Sequence, residues 1–120
     1  MVDSFRAEKL AGEAASDGRT VTARLSGTAS HRDIEALDRF LAQVLDEARR
    51  SAAAVIVIDV RDLVYMNSSH LKSVVSWLGA IGRCDPRPDV RLRANPAHHW
   101  QKRSVEAIGA LAPGLVTVES

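Results

Sequence analysis

The stretch Ala54-Val55-Ile56-Val57-Ile58-Asp59-Val60 constrains the fold more than any other part of the chain, because it is apolar, β-branched and unbroken as far as Ile58. With no polar residue alternating along it, it predicts an interior strand covered on both faces, as in parallel sheets. The strand is expected to end near Asp59 to Asp62. Next come Tyr65-Met66-Asn67-Ser68-Ser69-His70 and then Leu71, Val74, Val75, Leu78 and Ile81 at helical spacing, with Ser69, Lys72 and Ser76 turned away. The predicted helix stops around Gly82-Arg83, ahead of Pro86 and Pro88. A buried strand that feeds an amphipathic helix is one half of a parallel crossover unit.

The flanking sequence repeats this alternation. Residues 5 to 15 and 19 to 26 surround Ser16-Asp17-Gly18, whose Asp-Gly pair is a hairpin turn signal, and Val21, Ala23 and Leu25 alternate with Thr22 and Arg24. From Ser30, a candidate cap, a helical period carries Ile34, Leu37, Leu41, Val44, Leu45 and Ala48 on one face. Asp33 in its first turn and Arg49 with Arg50 in its last complement the helix dipole. Further on, Val90, Leu92 and Ala94 alternate with Arg91 and Arg93, Asn95-Pro96 breaks the pattern, and a last helix is expected from about His98 to Leu111. Pro113-Gly114 then leads into Leu115-Val116-Thr117-Val118. The predicted order is strand, strand, helix, strand, helix, strand, helix, strand: a single α/β domain over residues 1–120, with one mixed β-sheet packed against helices.

Composition narrows the functional classes. The 120 residues carry a net charge of +1, which creates no overall field to draw in nucleic acid. Arg91 and Arg93 form only a small basic patch without interleaved aromatic residues, so direct nucleic-acid binding is not expected. The apolar run from Ala52 to Ile58 is far short of a membrane span, and Met1 to Arg6 lacks the apolar core of a secretory signal. A cytoplasmic protein without membrane insertion is the expectation. Cys84 is the only cysteine, which excludes an internal disulfide and any multi-thiolate metal centre, and it reads as an ordinary side chain near a helix end.

The chemistry-bearing residues gather where the central strand meets its helix. A helix start presents free backbone N–H groups and the positive end of the dipole, so it favours an anion by roughly 0.3–1 kcal/mol when exposed. Asn67 or Ser68 serves there as the N-cap, and Ser68 is well placed to carry a phosphate. His70 sits on the helix flank with Ser73 and Trp77, and Trp77 is either an exposed interface anchor or a residue at the core edge. Successive helical residues point about 100° apart, so Ser69 and His70 do not form a nucleophile pair, and no Gly-x-Ser-x-Gly elbow is present. The segment His98-His99-Trp100-Gln101-Lys102-Arg103 reads as a solvated basic turn, and its adjacent histidines lack metal-ligand spacing. No catalytic constellation, metal site or cofactor is expected.

These residues resemble the STAS domain of bacterial anti-sigma-factor antagonists. Val57-Ile58-Asp59-Val60 is similar to the family's buried strand, and Asn67-Ser68-Ser69-His70 to its Asp-Ser-Ser/Thr-Gly motif at the next helix start. Arg24-Leu25-Ser26-Gly27 resembles the family's second strand, which ends in a glycine-containing turn. The resemblance implies a non-enzymatic, phosphorylation-switched protein-binding module. Ser68 would be the phosphoacceptor of a partner serine kinase or anti-sigma-like protein, and Asn67, Ser68, Ser69, His70, Lys72 and Trp77 would form the partner-binding surface. Asn67 in place of Asp keeps a good cap but deletes a negative charge beside the hydroxyl, and His70 in place of Gly adds bulk. Those departures also leave room for an unswitched STAS subunit that binds a membrane transport ATPase or scaffolds a signalling assembly.

Overall fold

The computed structural model describes residues 4–7, 9–111 and 114–119, without the side chains of residues 7, 31, 99, 102 and 111. The elements are β1 (Phe5–Ala7), β2 (Leu10–Ser16), β3 (Thr20–Thr28), α1 (Ile34–Arg50), β4 (Val55–Tyr65), α2 (Ser68–Gly82), β5 (Asp89–Arg93), α3 (His99–Leu111) and β6 (Val116–Glu119). A short 3-10 turn, His31–Asp33, leads into α1. Among the described residues the six strands form one mixed sheet in the order β1-β2-β3-β4-β5-β6. The first two pairings are antiparallel and the last three parallel. The segment expected as one strand over residues 5 to 15 is instead two, because β1 folds back on β2 with Phe5 opposite Gly12.

The β2–β3 hairpin forms at the Asp-Gly turn. Asp17 Oδ1 accepts from the N–H of Thr20 (2.7 Å) and of Arg19 (3.0 Å), while Gly18 takes φ 92°. Those two N–H groups hold the Asp17 carboxyl below the usual carboxylate range. At the far end of β3, Gly27 (φ 93°) is required because an added Cβ would lie 1.9 Å from the Lys9 carbonyl oxygen.

Each parallel connection passes through one helix, and the monotonic strand order with right-handed crossovers brings all three helices to the same face. Val21 and Ala23 pair with Ile56 and Ile58, which pair with Val90 and Leu92, and this face is the floor of the core. Leu41 of α1, Val74 of α2 and Val105 of α3 meet Ile58 and Leu92 in one apolar seam. The opposite face, carrying Thr22, Arg24, Val57, Asp59, Arg91 and Arg93, bears no helix among the described residues, so the prediction of a strand covered on both faces is corrected. Val57 is buried even so, flanked in register by Thr22 and Arg91.

Across that open face runs a row of opposite charges, Glu13–Arg24–Asp59–Arg93–Glu119, one residue from each of five adjacent strands in register. Opposite charges directly across strands attract one another, and solvent screens much of that attraction on an open face. β4 also runs past its expected end to Tyr65, with register shifts against β3 beyond Asp59. The shifts place Arg61 beside Asp59 and Asp62 beside Arg24, and both pairs are ion-paired.

Candidate functional site

The end of β4 and the start of α2 place the residues of interest. Met66 is buried and pins the connection, Asn67 is the N-cap in extended conformation, and Ser68 is the exposed first residue of α2. Asn67 Oδ1 accepts from the His70 N–H at 3.1 Å, so the side chain satisfies one amide of the first turn. Ser68 and Ser69 occupy the positions whose N–H groups lack carbonyl partners in any α-helix, the geometry that favours an anion. Lys72, also exposed, lies one turn on from Ser68 and on the same side. Ser69 is half-buried.

Two residues that the resemblance implies for the partner-binding surface are interior, which for Trp77 decides in favour of the core edge. His70 is 0% exposed, and its Nδ1 bonds to Asn67 Oδ1, so the ring braces the cap from below instead of facing a partner. Trp77 is 7% exposed, and its indole N–H donates to the Leu41 carbonyl at 2.6 Å, tying α2 to α1. Val75, expected inside, is 37% exposed. With Val64 (55%) and Tyr65 (49%), it adds apolar surface on the same two elements that present Ser68. Sequence reasoning missed this surface because the strand continues past its charged break at Arg61-Asp62.

A second feature without an obvious sequence signal supports the site from behind. Gln101, expected in a solvated turn, is 0% exposed. Its Nε2 donates to the carbonyls of Val60 (2.7 Å) and Leu63 (2.9 Å), bracketing the irregular part of β4, and its Oε1 accepts from the Asn95 N–H at 2.7 Å. The amide thereby ties the last stretch of strand before Ser68 to α3 and to the connection that follows β5. Trp100 is partly buried against the core and Arg103 is exposed, while the side chains of His99 and Lys102, and all of Pro113, lie outside the described residues.

On the open face, Arg61 donates to Asp59 through Nε (3.0 Å) and Nη2 (2.7 Å), and its backbone N–H adds a third bond at 3.1 Å. The Arg61 side chain, above all, holds the Asp59 carboxyl below its usual range against the opposing effect of burial. Arg93 meets Glu119 at 3.5 Å, so this arginine is offset by acid across the strand. Among the described residues no group of three His, Cys, Asp or Glu side chains is placed to hold a metal ion, and no helix is long and apolar enough to cross a membrane.

Together these features define a class: an α/β module with helices on one face of a mixed sheet and an exposed serine opening the helix that follows the central strand. The architecture is the STAS-like fold of anti-sigma factor antagonists. An anti-sigma factor antagonist from Mycobacterium paratuberculosis superposes with a TM-score of 0.69 at 13% identity, over 91% of this chain and 88% of that one. The unphosphorylated form of the anti-sigma factor antagonist SpoIIAA gives 0.63 at 19% identity, over 91% and 88% of the two chains. The phosphorylated form of the Bacillus cell fate determinant SpoIIAA gives 0.60 at 18%, over 91% of each. Neither a family model nor a curated protein matches the sequence.

Proposed function

We propose that this chain is a cytoplasmic, phosphorylation-switched protein-binding module of the anti-sigma-factor-antagonist type, acting as one domain and not as an enzyme. Ser68 is the phosphoacceptor of a partner serine kinase, and its unmodified hydroxyl permits docking. The observation that carries this reading is the exposed Ser68 side chain at the first position of α2, beside amides that favour an anion. The existence of SpoIIAA in phosphorylated and unphosphorylated forms supports it by analogy of fold.

The docking surface is Asn67, Ser68, Ser69 and Lys72, bordered by the exposed Val64, Tyr65 and Val75. His70 and Trp77 shape it from the interior. A phosphate on Ser68 adds roughly −1.5 to −2 charge at that surface, with Lys72 one turn away to hold it, and an apolar partner face without Arg or Lys is then repelled by desolvation. The test incubates the protein with the serine kinase encoded nearest to it and maps phosphate by mass spectrometry. Modification at Ser68, and loss of partner capture for a Ser68→Asp variant but not for Ser68→Ala, is the expected result. Phosphate elsewhere refutes the reading, as does capture of a transport ATPase with affinity unchanged by Ser68→Asp.

A further inference from the structure

We propose that the cleft between the C-terminal ends of α1 and α2 is a binding site for a small amphipathic monoanion, an apolar body carrying one carboxylate. The cleft encloses about 540 Å³, within the usual size of small-molecule sites. It lies at the N-terminal ends of the parallel strands. Ser68 follows the opposite end of β4, whose eleven residues make ten steps of about 3.3 Å, roughly 30 Å end to end. The site is therefore separate from the docking surface above and does not rest on it.

The cleft floor is apolar and built from small or compact residues. Ala48 and Ala53 are almost fully buried, Pro88 is buried beside them, and short side chains there leave open the space that longer ones would fill. Such a floor takes hydrocarbon or an aromatic ring from water favourably.

The cleft rim is cationic. Arg49 and Arg83 line the same cleft, both are exposed, and among the described residues neither guanidinium has a hydrogen-bond or ion-pair partner. Arg50, the next residue along from Arg49, is by contrast held by Glu47. Two uncommitted guanidinium groups present forked donors that match a carboxylate. Asp85 on the rim cancels one of their charges, and the negative ends of the α1 and α2 dipoles draw on the remainder. At about half a charge per helix end, the two dipoles offset what Asp85 leaves, so the cleft holds no surplus positive charge: one carboxylate is matched by the forked donors, and the second charge of a phosphate dianion is left unmatched.

Cys84, the only cysteine in the sequence, is half-buried in the cleft wall and reports directly on occupancy. The test measures its alkylation rate by the neutral reagent iodoacetamide with octanoate, phenylacetate, octanol or octyl phosphate present. Saturable protection by octanoate or phenylacetate is expected, with apparent affinity falling about tenfold in an Arg49→Gln/Arg83→Gln variant, the size of a lost charge-assisted hydrogen bond. Both arginines are exposed, so the variant should fold; its urea midpoint, lowered only slightly by loss of the charge at the end of α1, is measured alongside. Equal protection by octanol or stronger protection by octyl phosphate overturns the monocarboxylate assignment. Undiminished affinity in the double variant overturns the role of the arginines, and no saturable protection by any of the four compounds overturns the site.

Discussion

Replacing Gln101 should weaken the fold more than its place in a polar segment suggests. The side chain is 0% exposed and makes three hydrogen bonds of 2.7, 2.7 and 2.9 Å, all to main-chain groups. Gln101→Leu keeps similar bulk but removes the partner of the Val60 and Leu63 carbonyls and of the Asn95 N–H. A buried group left without its partner costs about 1–3 kcal/mol, so the three together put the loss at about 3 kcal/mol or more. That is a large share of the 5–15 kcal/mol typical of a domain's total stability. Urea denaturation at pH 7 should show a lower midpoint with an unchanged m-value. Gln101→Glu sharpens the argument, because an ionised carboxyl would face two carbonyl oxygens and has no proton to donate. Its folded pKa must rise above the unfolded value of about 4.3. The destabilisation is then full above that raised pKa and shrinks as the pH falls toward 4.3, so this variant should gain stability on mild acidification relative to the parent. A Gln101→Leu midpoint within about 0.5 kcal/mol of the parent, the range of an ordinary surface change, would refute the reasoning.

Three further outcomes follow from the same geometry. Asn67→Ala should cost about 1 kcal/mol or more, because it removes the α2 cap and strips His70 Nδ1 of its Asn67 partner, while Asn67→Asp should keep the cap; thermal or urea midpoints decide between them. Trp77→Phe should lose about 1–3 kcal/mol through the Leu41 carbonyl it abandons, and Trp77→Ala about 3–5 kcal/mol, both measured by denaturant titration. The Asp59 carboxyl, held low chiefly by Arg61, contributes stability that is present above its unfolded pKa and is lost as pH falls through the lower folded value. Asp59→Asn should therefore flatten the acid limb of the stability profile below about pH 4, and an unchanged limb would show that the pair contributes nothing.

Much of the fold is readable along the chain because it is local. The β-branched run at Val55–Ile58, the Asp17-Gly18 turn and the helical period from Ile34 each satisfy backbone and burial demands within a few residues. The position of Ser68 is equally local, since Asn67 caps the helix from the adjacent residue. Within α2, Val74, Leu78 and Ile81 are buried as their spacing predicts, and the stripe differs only at its edges, for an identifiable reason. Its buried set is His70, Val74, Trp77, Leu78 and Ile81, a regular helical stripe, and treating His70 as polar shifts that stripe and turns Val75 inward.

The sequence by itself therefore determined the element order from β3 onward, the α/β class and the serine at the head of α2, because periodicity and capping act over a single turn or a strand pleat, while the fold-back that splits β1 from β2 is a pairing of two strands. Only tertiary structure decided that one sheet face is open, that Glu13, Arg24, Asp59, Arg93 and Glu119 fall in a single row, and that His70 and Gln101 are interior. A polar side chain is buried when distant backbone groups arrive to bond with it. For Gln101 those groups are Val60 and Leu63, some forty residues back along the chain.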